Sequence, residues 1–207
     1  PERLLEECRK MQSYGALGVI LMDSAGAFTP EMVRRVIAML YDGLDIHVGF
    51  HPHNNMGIAV SNAYTAIQEG ASVIDGTLRG FGAGAGNCQL EDLVALLEKS
   101  GIKTGVDFYR MLDASGQVMP EMMEKDMGQD PISIVSGQAG VFSAFKIHVL
   151  RAAEEFGVDP RDILRELGRR KAVGGQEDMI VEVAEKLSRP AGDGSDRVIS
   201  YQIESLL

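Results

Sequence analysis

Two histidines one residue apart, His51 and His53 in the run Gly49-Phe50-His51-Pro52-His53-Asn54-Asn55, are the residues of this chain best suited to chemistry. A neutral imidazole binds divalent cations and accepts protons near neutral pH. If the run closes a β-strand, period-two alternation turns both rings to one face, where they can reach one ion. The plainer alternative is a pair of solvated or hydrogen-bonded histidines. Asp23-Ser24-Ala25-Gly26 closes the preceding apolar run in the same way. There Asp23 either holds an ion or a neighbouring histidine, and the Ser24 hydroxyl can bind a carboxylate; otherwise both residues form a turn that launches the next helix.

A third candidate is the glycine-rich stretch from Gly80 to Asn87. It lacks the Lys-Ser/Thr of a phosphate loop and the glycine spacing of a dinucleotide fingerprint. It is either a closely packed loop or the carrier of Asn87, whose side-chain oxygen can approach an ion held by the histidines. Asp75 and Arg79 flank the same point, and Arg79 either meets a carboxylate or lies on the surface. His47 shares the alternation of His51 but lies about four residues lower on the strand. His148 sits in helical text beside apolar residues, so neither of these two reads as a ligand. The eleven methionines scatter over helical text as core filler.

The surrounding pattern alternates strand and helix up to about residue 100. Residues 2–14 read as a helix, and Val19 to Met22 as a parallel strand buried on both faces. Thr29-Pro30 supplies an N-cap and a first-turn proline for a helix carrying Met32, Val33, Val36, Ile37 and Leu40. A second strand spans Ile46 to Phe50, followed by a small-residue helix around Ala59, Ala63 and Ala66. A third strand spans Ser72 to Thr77, with a helix through Leu90, Leu93, Val94 and Leu97 after it. Repeated strand–loop–helix units imply a parallel sheet with helices outside, and active sites at the C-terminal strand ends. Beyond Gly101 no strand is visible. Helical stretches fall at 104–114, 141–156, Pro160 to Leu167 and 176–187. Three parts follow: residues 1–100 as strand–helix units, 101–188 as a helical region, and 189–207 as a linker-like tail.

The 207 residues are 45% hydrophobic and 24% charged, an ordinary globular composition. The net charge of −10 argues against nucleic acid or an anionic membrane as a partner. No apolar run is long enough to span a membrane, and Cys8 and Cys88 form no disulfide framework, which points to the cytoplasm. Three units cannot close an eight-stranded barrel. The chain also opens in helical text at Pro1, so the expectation is a piece of something larger. A sheet with two open edges should associate with another chain, giving an oligomer.

Three segments together, GFHPHNN at 49–55, IDGTLRGFGAGAGN at 74–87 and GRRKAVGGQEDMIVEVA at 168–184, resemble the metal-dependent 4-hydroxy-2-oxovalerate aldolases. These are lyase-like barrels related to hydroxymethylglutaryl-CoA lyase. The resemblance runs collinearly over residues 5–187. It implies a partial (β/α)8 TIM barrel followed by a mostly helical C-terminal region, and a pyruvate aldolase that cleaves 4-hydroxy-2-oxoacids, as in aromatic catabolism. It further implies that His51, His53 and Asn87 hold a divalent metal, commonly Mn2+, with Ser24 and His51 beside the oxoacid. The implied partner is an acetaldehyde dehydrogenase subunit. The family's arginine, ligand aspartate and histidine base come from a first strand expected upstream of this chain. Two family tyrosines are replaced by Gln138 and Phe142, and neither replacement can exchange a proton. The alternatives are an acyl-CoA/oxoacid condensing synthase of the same superfamily and a non-catalytic truncated homologue that binds a partner.

Overall fold

The computed structural model describes residues 2–189. Pro1 and nearly all of the stretch read as a linker-like tail, from residue 190 on, lie outside the described residues. Helix α1 (Glu2–Ser13) leads into strand β1 (Gly18–Asp23). Helix α2 (Pro30–Gly43) begins where the sequence places its cap: the Thr29 hydroxyl accepts from the Met32 amide, and Pro30 occupies the first turn. Strand β2 (His47–Pro52), helix α3 (Ala59–Gln68), the two-residue strand β3 (Val73–Ile74) and helix α4 (Leu90–Lys99) complete the strand–helix units.

The three strands form one parallel sheet in the order β1-β2-β3. Ile20 pairs with Gly49 and Met22 with His51, while Gly49 pairs with Val73. Paired residues of a parallel sheet point to the same side, so alternation divides the sheet cleanly. Val19, Val48 and Phe50 face the helices and enter a core with Val33, Ile37, Leu40 and Ala66. The opposite face carries Ile20, Met22, Val73 and the two histidines. The expectation that the first strand is buried on both faces fails here. Ile20 and Met22 are 45% and 58% exposed, because no described element covers that side.

Two strand boundaries also differ from expectation. Strand β2 extends through His51 to Pro52, so the first histidine lies within the strand and not after it. Strand β3 is only two residues long where six were read, because the chain turns away at Asp75 toward Thr77 and pairs there with Gln89. After Thr77 a short 3-10 turn (Leu78–Gly80) begins the glycine loop, with Arg79 in the left-handed region at φ 54°.

Beyond residue 101 every described element is helical. Helix α5 (Phe108–Gln117) starts four residues later than read, at the Asp107 side chain that caps it. The short α6 (Met119–Met122) and α7 (Pro131–Ala139) were not separately legible. The stretch read as one helix over 141–156 divides into a 3-10 turn (Ser143–Phe145) and α8 (Lys146–Phe156). Helices α9 (Pro160–Arg169) and α10 (Asp178–Ser188) follow. These helices enclose a core of their own, with Phe145, Val149, Ile163, Leu164, Leu167, Ile180 and Val183. No described helix is long and apolar enough to cross a membrane.

Candidate metal centre

The histidine pair is placed by the end of β2. Its rings lie 5.3 Å apart, centroid to centroid, tilted by 51°. His51 Nδ1 is 3.3 Å from the Asp75 carboxylate, which leaves β3 at the register position beside it. A carboxylate on one ring nitrogen fixes the tautomer and the orientation of the ring, freeing the other nitrogen for a ligand. Asp75 was noted in the sequence only as a neighbour of Arg79. The alternation of β3 would have revealed it as the partner of His51.

His53 lies just past the strand and is anchored through its backbone. Its amide donates to the Asp23 carbonyl at 3.3 Å, and His53 forms an isolated antiparallel bridge with Asn87. The Asn54 amide donates to Gly86 at 2.8 Å and the Cys88 amide to Pro52 at 3.1 Å, welding the glycine loop onto the β2 end. The loop folds back on itself as well. Asn87 N donates to the Gly80 carbonyl, and the Asn87 Nδ2 to Phe81. The His51 and His53 rings are thus neighbours, and the backbone of His53 is bridged to that of Asn87.

Two atoms there test whether a cation fits. His53 Nδ1 and Asn87 Oδ1 are both buried and both lack a hydrogen-bond partner. Buried polar atoms are ordinarily paired; the Asn87 oxygen carries a lone pair a cation could take, as does His53 Nδ1 in the tautomer protonated at Nε2. The residue types therefore fit a divalent ion. The set is small, however: among the described residues, no group of three or more His, Cys, Asp or Glu side chains converges as a metal site.

Electrostatics favour the ligand form of His53. Burial, then the neighbouring His51, push its pKa below the ordinary value, against a backbone hydrogen bond to Ala83. The shift favours the neutral ring, the form that binds a metal. Burial also pushes the Asp23 carboxyl up, partly offset by amides of Phe28, Ala27 and Gly26 and by His51. Its oxygens accept from Ala27 N at 2.8 Å and Phe28 N at 2.9 Å. Asp23 thus takes the turn-forming role of its two readings. Burial drives the Cys88 thiol up to about 12, so it is an inert neighbour of Asn87.

Ser24 stands at the end of β1, where its carbonyl accepts from the amide and the hydroxyl of Ser143 at 3.0 and 2.8 Å. Arg79 does not meet the histidines. Its guanidinium pairs with Asp126 in a cleft also lined by Glu91, Asp92 and Ser115. His47 bonds Ser72 at 3.0 Å, at the far end of β2, and His148 is exposed on α8. Gln138 is exposed on α7, and Phe142 packs edge-on against Phe145 at 5.7 Å.

Residues 1–118 match the HMGL-like family model. The chain belongs to that family. Residues 127–189 match the DmpG-like communication domain. Among curated proteins, the chain is 54% identical over 189 residues to a 4-hydroxy-2-oxovalerate aldolase of Pectobacterium atrosepticum, covering 91% of this chain and 55% of that protein. It is likewise 54% identical over 188 residues to the 4-hydroxy-2-oxovalerate aldolase of Pelotomaculum thermopropionicum, with the same coverage. The chain therefore spans about half the length of these relatives. The crystal structure of a Bacillus subtilis HMG-CoA lyase superposes with a TM-score of 0.56 at 31% identity, over 61% of this chain and 44% of that one.

Proposed function

We propose that this HMGL-like chain carries the metal-holding part of a pyruvate aldolase that cleaves 4-hydroxy-2-oxoacids, built on part of a (β/α)8 barrel. The observation that carries the reading is the adjacency of the His51 and His53 rings at the C-terminal end of β2, with the His53 backbone bridged to Asn87. In such sheets this is where ligands bind. His51, oriented by Asp75, and His53 would hold a divalent ion, Mn2+ in this reading, with the Asn87 oxygen beside it. When bound, the ion supplies Lewis-acid polarisation of the 2-oxo carbonyl. In this reading the Ser24 hydroxyl, at the end of β1, would receive the oxoacid carboxylate. The further ligand, the arginine and the base come, in this reading, from outside the described residues, as the greater length of the relatives suggests.

Residues 127–189 favour the aldolase over an acyl-CoA condensing synthase, because they match a DmpG-like communication domain. That match supports an acetaldehyde dehydrogenase as the partner of this helical region. The separate core around Phe145 and Leu164 supports a division into strand–helix and helical parts near residue 101. The two buried free thiols suit a reducing cytoplasm.

The test is Mn2+ binding by the full chain, measured calorimetrically beside His51→Ala plus His53→Ala. Loss of binding in the double variant supports the site, and equal affinity removes it. Pyruvate release from 4-hydroxy-2-oxovalerate, with and without restored upstream sequence, then tests the reaction.

A further inference from the structure

Four segments distant in sequence converge on one buried side chain, Asn55, two residues beyond His53. Asn55 and Ser143 are each 1% exposed. Ser143 Oγ lies 2.9 Å from Asn55 Oδ1, and Asn55 Nδ2 donates to the Ser133 carbonyl at 3.2 Å. The same hydroxyl lies 2.8 Å from the Ser24 carbonyl, which the Ser143 amide also serves at 3.0 Å, so its one proton is shared between the Ser24 and Asn55 oxygens and the hydroxyl touches both strand-end loops. Both ends of the Asn55 amide are thereby tied to the helical region.

Three glycines keep this junction closed. A Cβ on Gly26 would stand 2.8 Å from Asn55 N and from the His53 carbonyl. One on Gly84 would meet Ser143 Cβ at 2.9 Å, and one on Gly137 would meet Asn55 Cβ at 2.9 Å. The loop after β1, the loop after β2, the glycine loop and α7 therefore touch with no room between them. Nothing in the sequence marks Ser143 for this role.

We propose that Ser143 is a positioning residue for the candidate centre: it lets the helical region set the strand-end loops that carry Ser24 and His53. Without its hydroxyl, Asn55 Oδ1 is buried with no donor, and the loop two residues from His53 gains freedom. The inference rests on the proposed metal function only for its consequence, not for its geometry.

Ser136 supplies a matched control. It is equally buried in the same helical region, and its hydroxyl donates within that region, to the Val141 carbonyl at 2.9 Å. In the full chain, Ser143→Ala and Ser136→Ala are compared by amide exchange at His53 and Asn54, which needs no metal, and by Mn2+ titration. If Ser143→Ala does not fold, Ser143→Cys, of similar size but a weaker donor, replaces it. The expected result is exchange faster by about tenfold or more in the Ser143 variant only, the scale of one lost buried hydrogen bond. Mn2+ affinity should fall alongside by a similar factor. Equal exchange in the two variants overturns the proposal, as does unchanged Mn2+ affinity in a parent chain that binds the ion. Faster exchange in a parent chain that binds no Mn2+ upholds the positioning role and removes the metal function instead.

Discussion

His53 and Asn87 meet in an isolated antiparallel bridge, and each holds one buried polar atom without a partner. The bridge sets the two residues side by side on neighbouring segments, with both atoms left unpaired. Leaving a buried acceptor unpaired costs about 1–3 kcal/mol, so a bound cation would relieve a penalty already built into the fold. Asn87→Ala removes that oxygen together with the Nδ2 bond to Phe81. The two effects oppose, and the metal-free melting free energy should change by less than about 1 kcal/mol. Mn2+ affinity should nonetheless fall. An unchanged affinity by calorimetry would separate Asn87 from the ion.

Gly26 should tolerate no side chain. Its φ of 58° and the 2.8 Å approach of a Cβ to Asn55 N and the His53 carbonyl both oppose one, and neither obstacle is a flexible side chain. Gly26→Ala should cost about 2–3 kcal/mol in denaturant unfolding. A loss under about 0.5 kcal/mol would show that the loops after β1 and β2 are not so tightly joined.

Alternation alone placed His51 and His53 on one face, and the Thr29-Pro30 cap fixed the start of α2 correctly. These are local signals, carried by neighbours in sequence. The exposure of Ile20 and Met22 was not legible, because an apolar run looks the same whether one or both faces are covered. Strand β3 was overread for a related reason. Asp75 to Thr77 are extended in pattern, but the Asp75 amide still bonds Phe50 of β2 whereas Thr77 pairs with Gln89, a dozen residues away. Ser143 and Asn55 meet across 88 positions, a contact no local pattern encodes.

Glu91 secures the glycine loop from the other side. Its carboxylate accepts from the Arg79 amide with both oxygens, at 2.8 and 3.1 Å, and from the Ser115 hydroxyl. Arg79 is held there in the left-handed region, which a non-glycine residue enters at a cost of about 1–3 kcal/mol. Glu91→Gln should turn a donor toward the Arg79 amide, lowering stability by about 2 kcal/mol. Proton exchange at the Arg79 amide should accelerate. Preserved protection there would assign the turn to the glycines alone.

The open sheet face should govern association. Ile20, Met22 and Val73 are exposed on the side that carries the histidines, and β1 and β3 are the outer strands of the sheet. A flat apolar edge of this kind recruits other chains, and an inward-pointing charge blocks it. Sedimentation of the full chain should therefore show concentration-dependent self-association that Met22→Lys reduces. Equal association in both proteins would place the contact elsewhere.

Acid should act on the helical region through Asp130. This carboxylate caps α7 by accepting from the Ile132 and Ser133 amides at 2.9 and 3.0 Å, and it pairs with the half-buried Lys146 ammonium. Burial pushes its pKa up, but Lys146 and Ser133 pull it further down, to below the ordinary 3.8. The folded state therefore binds this proton less readily than the unfolded one. The resulting stability is fully present above pH 3.8 and is lost as pH falls through the folded-state pKa. Asp130→Asn keeps the cap but strands the ammonium, which should cost about 2 kcal/mol at neutral pH, discounted from the fully buried case for partial exposure. The gap between parent and variant should then close as the pH drops below 3.8, because the parent loses its charge while asparagine has none to lose. Urea unfolding at a series of pH values measures both curves. A gap that stays constant down to the acid transition would show that Lys146 draws its stability from Ser133 and solvent, and not from the carboxylate.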